Sequence, residues 1–149
     1  RHPVLSRLGP DLLAPAPDLD EAVRRLHGEP DRPLGEALLD QRAVAGIGNV
    51  YKSEMLHLAR LDPFAPVGAV DAERLAALLA DTRRMMQRNL GAHRRRTREG
   101  RGPRLWVHGR DGLGCLRCDA PIRARRQGRT GRVTWYCPRC QASSPGASA

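Results

Sequence analysis

Two Cys-x2-Cys pairs, Cys115 with Cys118 and Cys137 with Cys140, use all four cysteines of the chain and stand 18 residues apart. Each pair can offer two thiolates to one tetrahedral ion, and a hairpin between the pairs would bring them together. Disulfides require an oxidising compartment, yet no charged segment leading into an apolar core marks a secretory signal, so the disulfide reading fits poorly and a redox pair fits worse. One structural Zn2+ is therefore expected. With four sulfur ligands it would leave no open position for hydrolysis, and it would hold together a segment too small and too basic to fold by itself.

The charge balance points to a polyanionic partner. Lys and Arg number 26 against 16 Asp and Glu, a formal charge of +10, and Lys52 is the only lysine. Guanidinium groups suit phosphate and base edges through their planar fork of donors, and clustered cations gain free energy by displacing counterions from nucleic acid. A solvated basic surface is the plainer reading, which charge alone does not exclude. No run of 18 apolar residues exists, so no membrane partner is expected and the chain reads as cytoplasmic.

Along the chain, Arg1 to Pro17 carries four prolines without sustained periodicity and reads as a connector over residues 1–17. Asp18 and Glu21 have capping-box spacing ahead of a short helix that closes at Gly28. A second helix is expected from Asp31 or Arg32 to about Arg42, and a third from Val50 to Arg60, joined through Ala45-Gly46-Ile47-Gly48-Asn49. Asp71 opens a longer helix whose Leu75, Leu78, Leu79, Thr82 and Met86 share one face, expected to be core. From Arg94, six arginines crowd eleven residues and mark a boundary, giving a helical unit over 18–100. A small unit comes next over 101–141, with strand character at Trp106-Val107, Ile122 to Arg126 and Val133 to Tyr136, and a tail over 142–149. Glycines at a helix start let a phosphate approach the backbone, although such turns also join packed helices for purely steric reasons.

Leu38-Leu39-Asp40-Gln41-Arg42-Ala43-Val44-Ala45-Gly46-Ile47-Gly48-Asn49-Val50-Tyr51-Lys52-Ser53-Glu54 resembles the helix-two-turn-helix motif of the formamidopyrimidine-DNA glycosylase and endonuclease VIII family. Arg132-Val133-Thr134-Trp135-Tyr136-Cys137-Pro138-Arg139-Cys140-Gln141 is similar to that family's C-terminal zinc finger. Both motifs stand in the family's order, closer to the endonuclease VIII branch. The resemblance implies a mainly α fold, a helix-two-turn-helix DNA-binding domain followed by a β-hairpin zinc finger. It also implies that Asn49 and Gly48 bind a phosphate beside the lesion, that Arg42 reaches the backbone, and that Arg132 clamps phosphates flanking the flipped-out nucleotide. Damaged double-stranded DNA is the implied partner, met by a monomer.

The family's catalysis uses an N-terminal proline followed by glutamate. This chain begins Arg1-His2-Pro3, so Pro3 is not given that role and no catalytic residue is assigned; a catalytic portion is expected upstream. Lys52, the one side-chain amine, is expected to be exposed or to face a phosphate, and Glu54 to pack or pair locally. The five histidines are expected at the surface or partly packed. Base-excision glycosylase with abasic-site lyase activity on oxidised bases, preferably pyrimidines, is the implied activity of the whole protein. Two other readings stay open: a non-catalytic nucleic-acid-binding module, and a zinc-ribbon protein that grips an acidic protein partner.

Overall fold

The computed structural model describes residues 8–143. Pro3, with the rest of residues 1–7, and residues 144–149 of the expected tail lie outside the described residues.

Helix α1 (Leu19–Leu26) begins where Asp18 accepts the Glu21 N–H at 3.0 Å. Only this half of the capping box is made, because the Glu21 carboxylate turns to Arg24 and Arg25. Helix α2 (Leu34–Leu39) is shorter than the sequence predicts. Pro33 stands before it at ψ 138°, outside the helix, and Asp40 ends it in extended conformation, its carboxylate accepting the Arg42 N–H at 3.0 Å. Helix α3 (Asn49–Ala59) ends at Arg60 in the left-handed region, and α4 (Ala72–Arg88) is capped by Asp71, whose side chain accepts the Arg74 N–H. The predicted apolar face of α4 is buried, with Met85 added to it.

Residues 8–17, within the expected connector, run along the helical unit and are tied to it. Gly9 and Leu12 donate to the carbonyls of Gln41 and Ala45, Ala45 donates to Pro10, and Leu12 is fully buried. Arg83 of α4 fastens the segment from the other side, donating to the carbonyls of Leu12, Ala14 and Pro15. Prolines remove backbone donors, and several of the remaining donors and carbonyls find partners here.

Strands β1 (Arg123–Gln127) and β2 (Arg132–Tyr136) form an antiparallel hairpin with Gln127 opposite Arg132 and Arg123 opposite Tyr136. Trp106 and Val107 form no strand. The apolar residues separate into two clusters: a large one from the helices and residues 12, 43, 44, 47, 61, 67 and 70, and a small one of Val107, Cys115, Ile122 and Cys137 with Trp106 and Trp135 against it.

Helix α3 joins these clusters and is buried on nearly every side. Met55 and Leu56 enter the large cluster. Asn49, Ser53 and His57, at i, i+4 and i+8, lie along one face with Lys52 and Glu54 beside them, and all five are buried against the part of the chain beyond α4. Polar residues on a buried face read in sequence like a solvated face, so the sequence of α3 alone does not show that it is internal.

Candidate nucleic-acid interface and metal centre

The turn into α3 brings two glycines together for different reasons. Gly46 has φ +108°, which a side chain disfavours, and its N–H donates to Gln41 Oε1 at 2.8 Å. Gly48 has φ −95°, and a Cβ built there would meet nothing within 4 Å. Nothing in the fold requires a glycine at 48, yet it stands exposed at the start of a helix that no side chain caps. Free N–H groups and the positive end of the helix dipole favour an anion at such a place.

Asn49 and Arg132 come together here. A groove of about 650 Å³ is lined by Gly48, Asn49 and Val50 on one side and by Thr130, Gly131, Arg132, Val133 and Trp135 on the other. Arg95, His108 and Arg126 complete it, so that three exposed arginines and a helix start meet with no carboxylate in the lining. The Asn49 side chain also has a structural part: its Nδ2 donates to Val133 O at 2.7 Å, while its Oδ1 is buried without a partner.

Arg42 does not line this groove. It forks onto Asp40, Nε to Oδ1 and Nη2 to Oδ2 at 3.1 Å each, in a carboxylate shared with Arg32. The Arg42 fork, and behind it Arg32, hold the Asp40 carboxyl well below the usual range. Arg95 and Arg126 were not singled out by the sequence. Arg95 was one of six arginines in a run, and only the path of the chain after α4 shows which of them faces the groove.

Lys52 is neither exposed nor in the groove. It is 1% exposed, its Nζ donates to Thr134 Oγ1 at 2.6 Å, and burial, then the nearby Arg132 charge, push its pKa down to about 8. Glu54 is 0% exposed and pairs across the fold rather than locally. One carboxylate oxygen accepts Trp106 N–H at 2.6 Å and the Thr97 hydroxyl; the other accepts the N–H groups of Val107 and His108 at 2.8 and 2.9 Å. These bonds explain the missing strand at Trp106-Val107: the backbone donors serve a carboxylate on α3 instead of a neighbouring strand.

The four cysteine sulfurs lie within 4.8 Å of one another, with Cys115 to Cys140 at 3.8 Å and Cys118 to Cys137 at 3.5 Å. A tetrahedron of zinc–sulfur bonds of about 2.3 Å has edges of about 3.8 Å, and a disulfide is about 2.05 Å long. The cluster therefore has the dimensions of a metal centre. Backbone N–H groups of Arg117 and Cys140 point at the sulfurs of Cys115 and Cys137 at 3.4 and 3.3 Å, as thiolates would accept. His57, fully buried against the sequence expectation, places Nε2 3.5 Å from Cys115 Sγ. Burial, with Arg117, Arg60 and Arg110 nearby, pushes its pKa down to about 4, so the ring is neutral.

Comparison with known proteins accords with this geometry. The formamidopyrimidine-DNA glycosylase H2TH domain matches residues 8–99. A probable endonuclease 8 2 of Streptomyces coelicolor is 46% identical over 140 residues, 93% of this chain and 51% of that protein. The DNA-(apurinic or apyrimidinic site) lyase Nei2 of Mycolicibacterium smegmatis is 44% identical over 92% of this chain and 54% of its own. Among solved structures, the MutM (Fpg) protein of Thermus thermophilus superposes with a TM-score of 0.78 at 35% identity, over 96% of this chain and 57% of its own. Lactococcus lactis Fpg in complex with DNA containing an abasic site does so at 0.76 and 26%, over 94% and 54%. The chain thus spans about half the length of the curated relatives it matches. Among the described residues, no helix is long and apolar enough to cross a membrane. By its helix-two-turn-helix domain, its identity to endonuclease 8 and its Fpg-like fold, the chain belongs to the formamidopyrimidine-DNA glycosylase and endonuclease 8 family.

Proposed function

We propose that this chain is the DNA-binding portion of a base-excision-repair glycosylase with abasic-site lyase activity that acts on oxidised bases, with pyrimidines preferred. The groove between the start of α3 and the hairpin carries the reading: an uncapped helix N-terminus, Asn49 and three arginines converge there without a carboxylate. Such a surface holds phosphates in fixed register while leaving base readout to other parts. The relatives named as endonuclease 8 and abasic-site lyase, and the Fpg complex with abasic DNA, support the activity and the partner. The chain's only lysine is buried outside the groove, so the described residues bring no side-chain amine to bound DNA, and the chain by itself binds an abasic-site analogue without efficient cleavage.

Zn2+ is the ion proposed for Cys115, Cys118, Cys137 and Cys140, since four thiolates at tetrahedral spacing suit it and its part is structural. When bound it supplies cross-linking alone. Cys115 and Cys118 then anchor the loop before β1, and Cys137 and Cys140 anchor the end of β2, so that Arg132 is presented from a fixed hairpin.

Affinity for a duplex with a tetrahydrofuran abasic-site analogue, measured across a salt series, tests the reading. Arg132→Ala is expected to lower the magnitude of the logarithmic salt slope by about one, because each neutralised phosphate contributes about 0.9 on B-DNA. Unchanged affinity and slope would remove Arg132 from the interface. Gly48→Ala is expected to keep the stability of the free protein, since φ is ordinary and the space is open, yet to weaken the same duplex about tenfold by placing a methyl where a phosphate approaches. Wild-type affinity for Gly48→Ala would mean that the phosphate does not reach this turn.

A further inference from the structure

The buried lysine has no part in the interface described so far. Lys52 carries an ammonium that is 1% exposed, and no carboxylate among the described residues receives it; its partner is the Thr134 hydroxyl at 2.6 Å. Thr134 in turn donates to Gln127 Oε1 at 2.6 Å, and Gln127 Nε2 donates to Pro63 O at 2.8 Å. This relay leaves α3, crosses β2 and β1, and returns to the loop after α3. The helix before the turn also makes room for it. A Cβ on Gly35 of α2 would lie 2.3 Å from Gln127 Oε1, so a glycine stands inside a short helix where one is otherwise unfavourable.

Such a chain of buried polar groups is costly unless each member keeps its place. The hairpin register converts that requirement into geometry. Thr134 points into the relay, while its strand neighbours Val133 and Trp135 line the DNA groove, and Arg132, two residues before Thr134, lines it as well. Gln127, the last residue of β1, lies directly opposite Arg132. Both strands are thereby fixed to α3 at the level of Arg132.

We propose that Lys52 is a positioning residue that acts through Thr134 and Gln127 to hold the hairpin where Arg132 faces the uncapped start of α3. The proposal rests on the DNA-binding reading above and adds to it a residue that never touches DNA. The effect of Lys52 on affinity runs through Arg132. A lysine that merely supported the fold would change affinity whether or not Arg132 were present.

The test is a cycle on the zinc-loaded chain with the tetrahydrofuran duplex. Lys52→Met is expected to weaken binding about three- to tenfold, within the range of coupling seen between residues that act as one network. In an Arg132→Ala background the same change is expected to cost less than about twofold. Thr134→Val, which cuts the relay from the other side, should reproduce both results. Equal losses in the two backgrounds, or no loss in wild type, would overturn the proposal. Stability supplies a control: removal of a buried ammonium that lacks a carboxylate should leave the melting temperature of Lys52→Met at or above that of wild type. Amide exchange without DNA gives a separate readout. Residues 123–136 should exchange faster in both variants while α4 keeps its protection, and unchanged hairpin exchange would overturn the relay. Failure of the wild-type chain to bind the duplex would remove the DNA-binding reading, and the exchange result would still decide the relay.

Discussion

Removal of the metal from the four-cysteine site is expected to unfold the segment after Arg104 and to leave the helices standing. The small cluster has four buried apolar residues, and two of them, Cys115 and Cys137, are among the proposed ligands. Val107 and Ile122 with two half-buried tryptophans cannot offset the chain entropy of some forty residues, whereas a structural zinc site of four thiolates contributes roughly 10 to 16 kcal/mol of apparent binding free energy at neutral pH. The helices rest on a separate cluster of twenty buried apolar residues. Much of their contact with the finger is polar, made by Asn49, Lys52, Ser53, Glu54 and His57 and by the carbonyls of Leu61 and Pro63, groups that water can receive when the finger leaves. One zinc per chain should be found by elemental analysis. Chelation should preserve most of the helical circular dichroism while affinity for abasic-analogue DNA falls by more than about tenfold, since Arg132, Arg126 and half of the groove wall are lost together. Helical signal that collapses in step with the metal would show that the two clusters fold as one.

Glu54→Ala is expected to be among the most damaging substitutions in the helical unit. It would leave the N–H groups of Trp106, Val107 and His108 and the Thr97 hydroxyl without their acceptor, and each buried donor so abandoned costs about 1 to 3 kcal/mol. Relaxation of the loop toward water recovers part of this, so a loss of about 3 to 6 kcal/mol in urea unfolding of the metal-loaded chain is expected. Glu54→Gln is no substitute: its amide nitrogen would face one pair of donors with donors of its own, and an intermediate loss should result. A loss under about 1 kcal/mol for Glu54→Ala would show that the carboxylate does not organise this loop. The arginine run should respond as well. Arg95 reaches the groove from the segment that Thr97 and Trp106 fasten to Glu54, so DNA affinity should fall even where the variant remains folded.

Much of the candidate site was legible in the sequence because it depends on local spacing. Two Cys-x2-Cys pairs around a hairpin-length insert anticipate the four-sulfur cluster, and Asp71 followed by apolar residues at helical spacing marks α4, whatever the rest of the chain does. The Gly-Ile-Gly-Asn turn likewise declares a helix start, and there the sequence stops short. Only the backbone angles and the open space at position 48 separate Gly46, required by its φ, from Gly48, which the fold itself does not require.

Tertiary structure decided what depends on partners distant in the chain. Lys52 and Glu54 carry charges that ordinarily belong in water, and nothing near them in sequence shows that Thr134 and the loop at 106–108 will enclose them, 82 and 52 to 54 residues away. Residues 8–17, rich in proline and without period, are tied to the helical unit, with Leu12 in its core, because Ala45 and Arg83 supply hydrogen-bond partners. Arg42 and Arg95 look alike in sequence, yet Asp40 holds the first away from the groove and the path after α4 carries the second into it. The sequence by itself determined the four helices, the hairpin and which thiols gather, since helix periodicity, caps and cysteine spacing act over a few residues. The strand expected at Trp106-Val107, by contrast, gave way to bonds with Glu54. The fold decided which charges are buried, which face the groove and which hold the hairpin in place, because burial and electrostatics depend on distance in space and not along the chain.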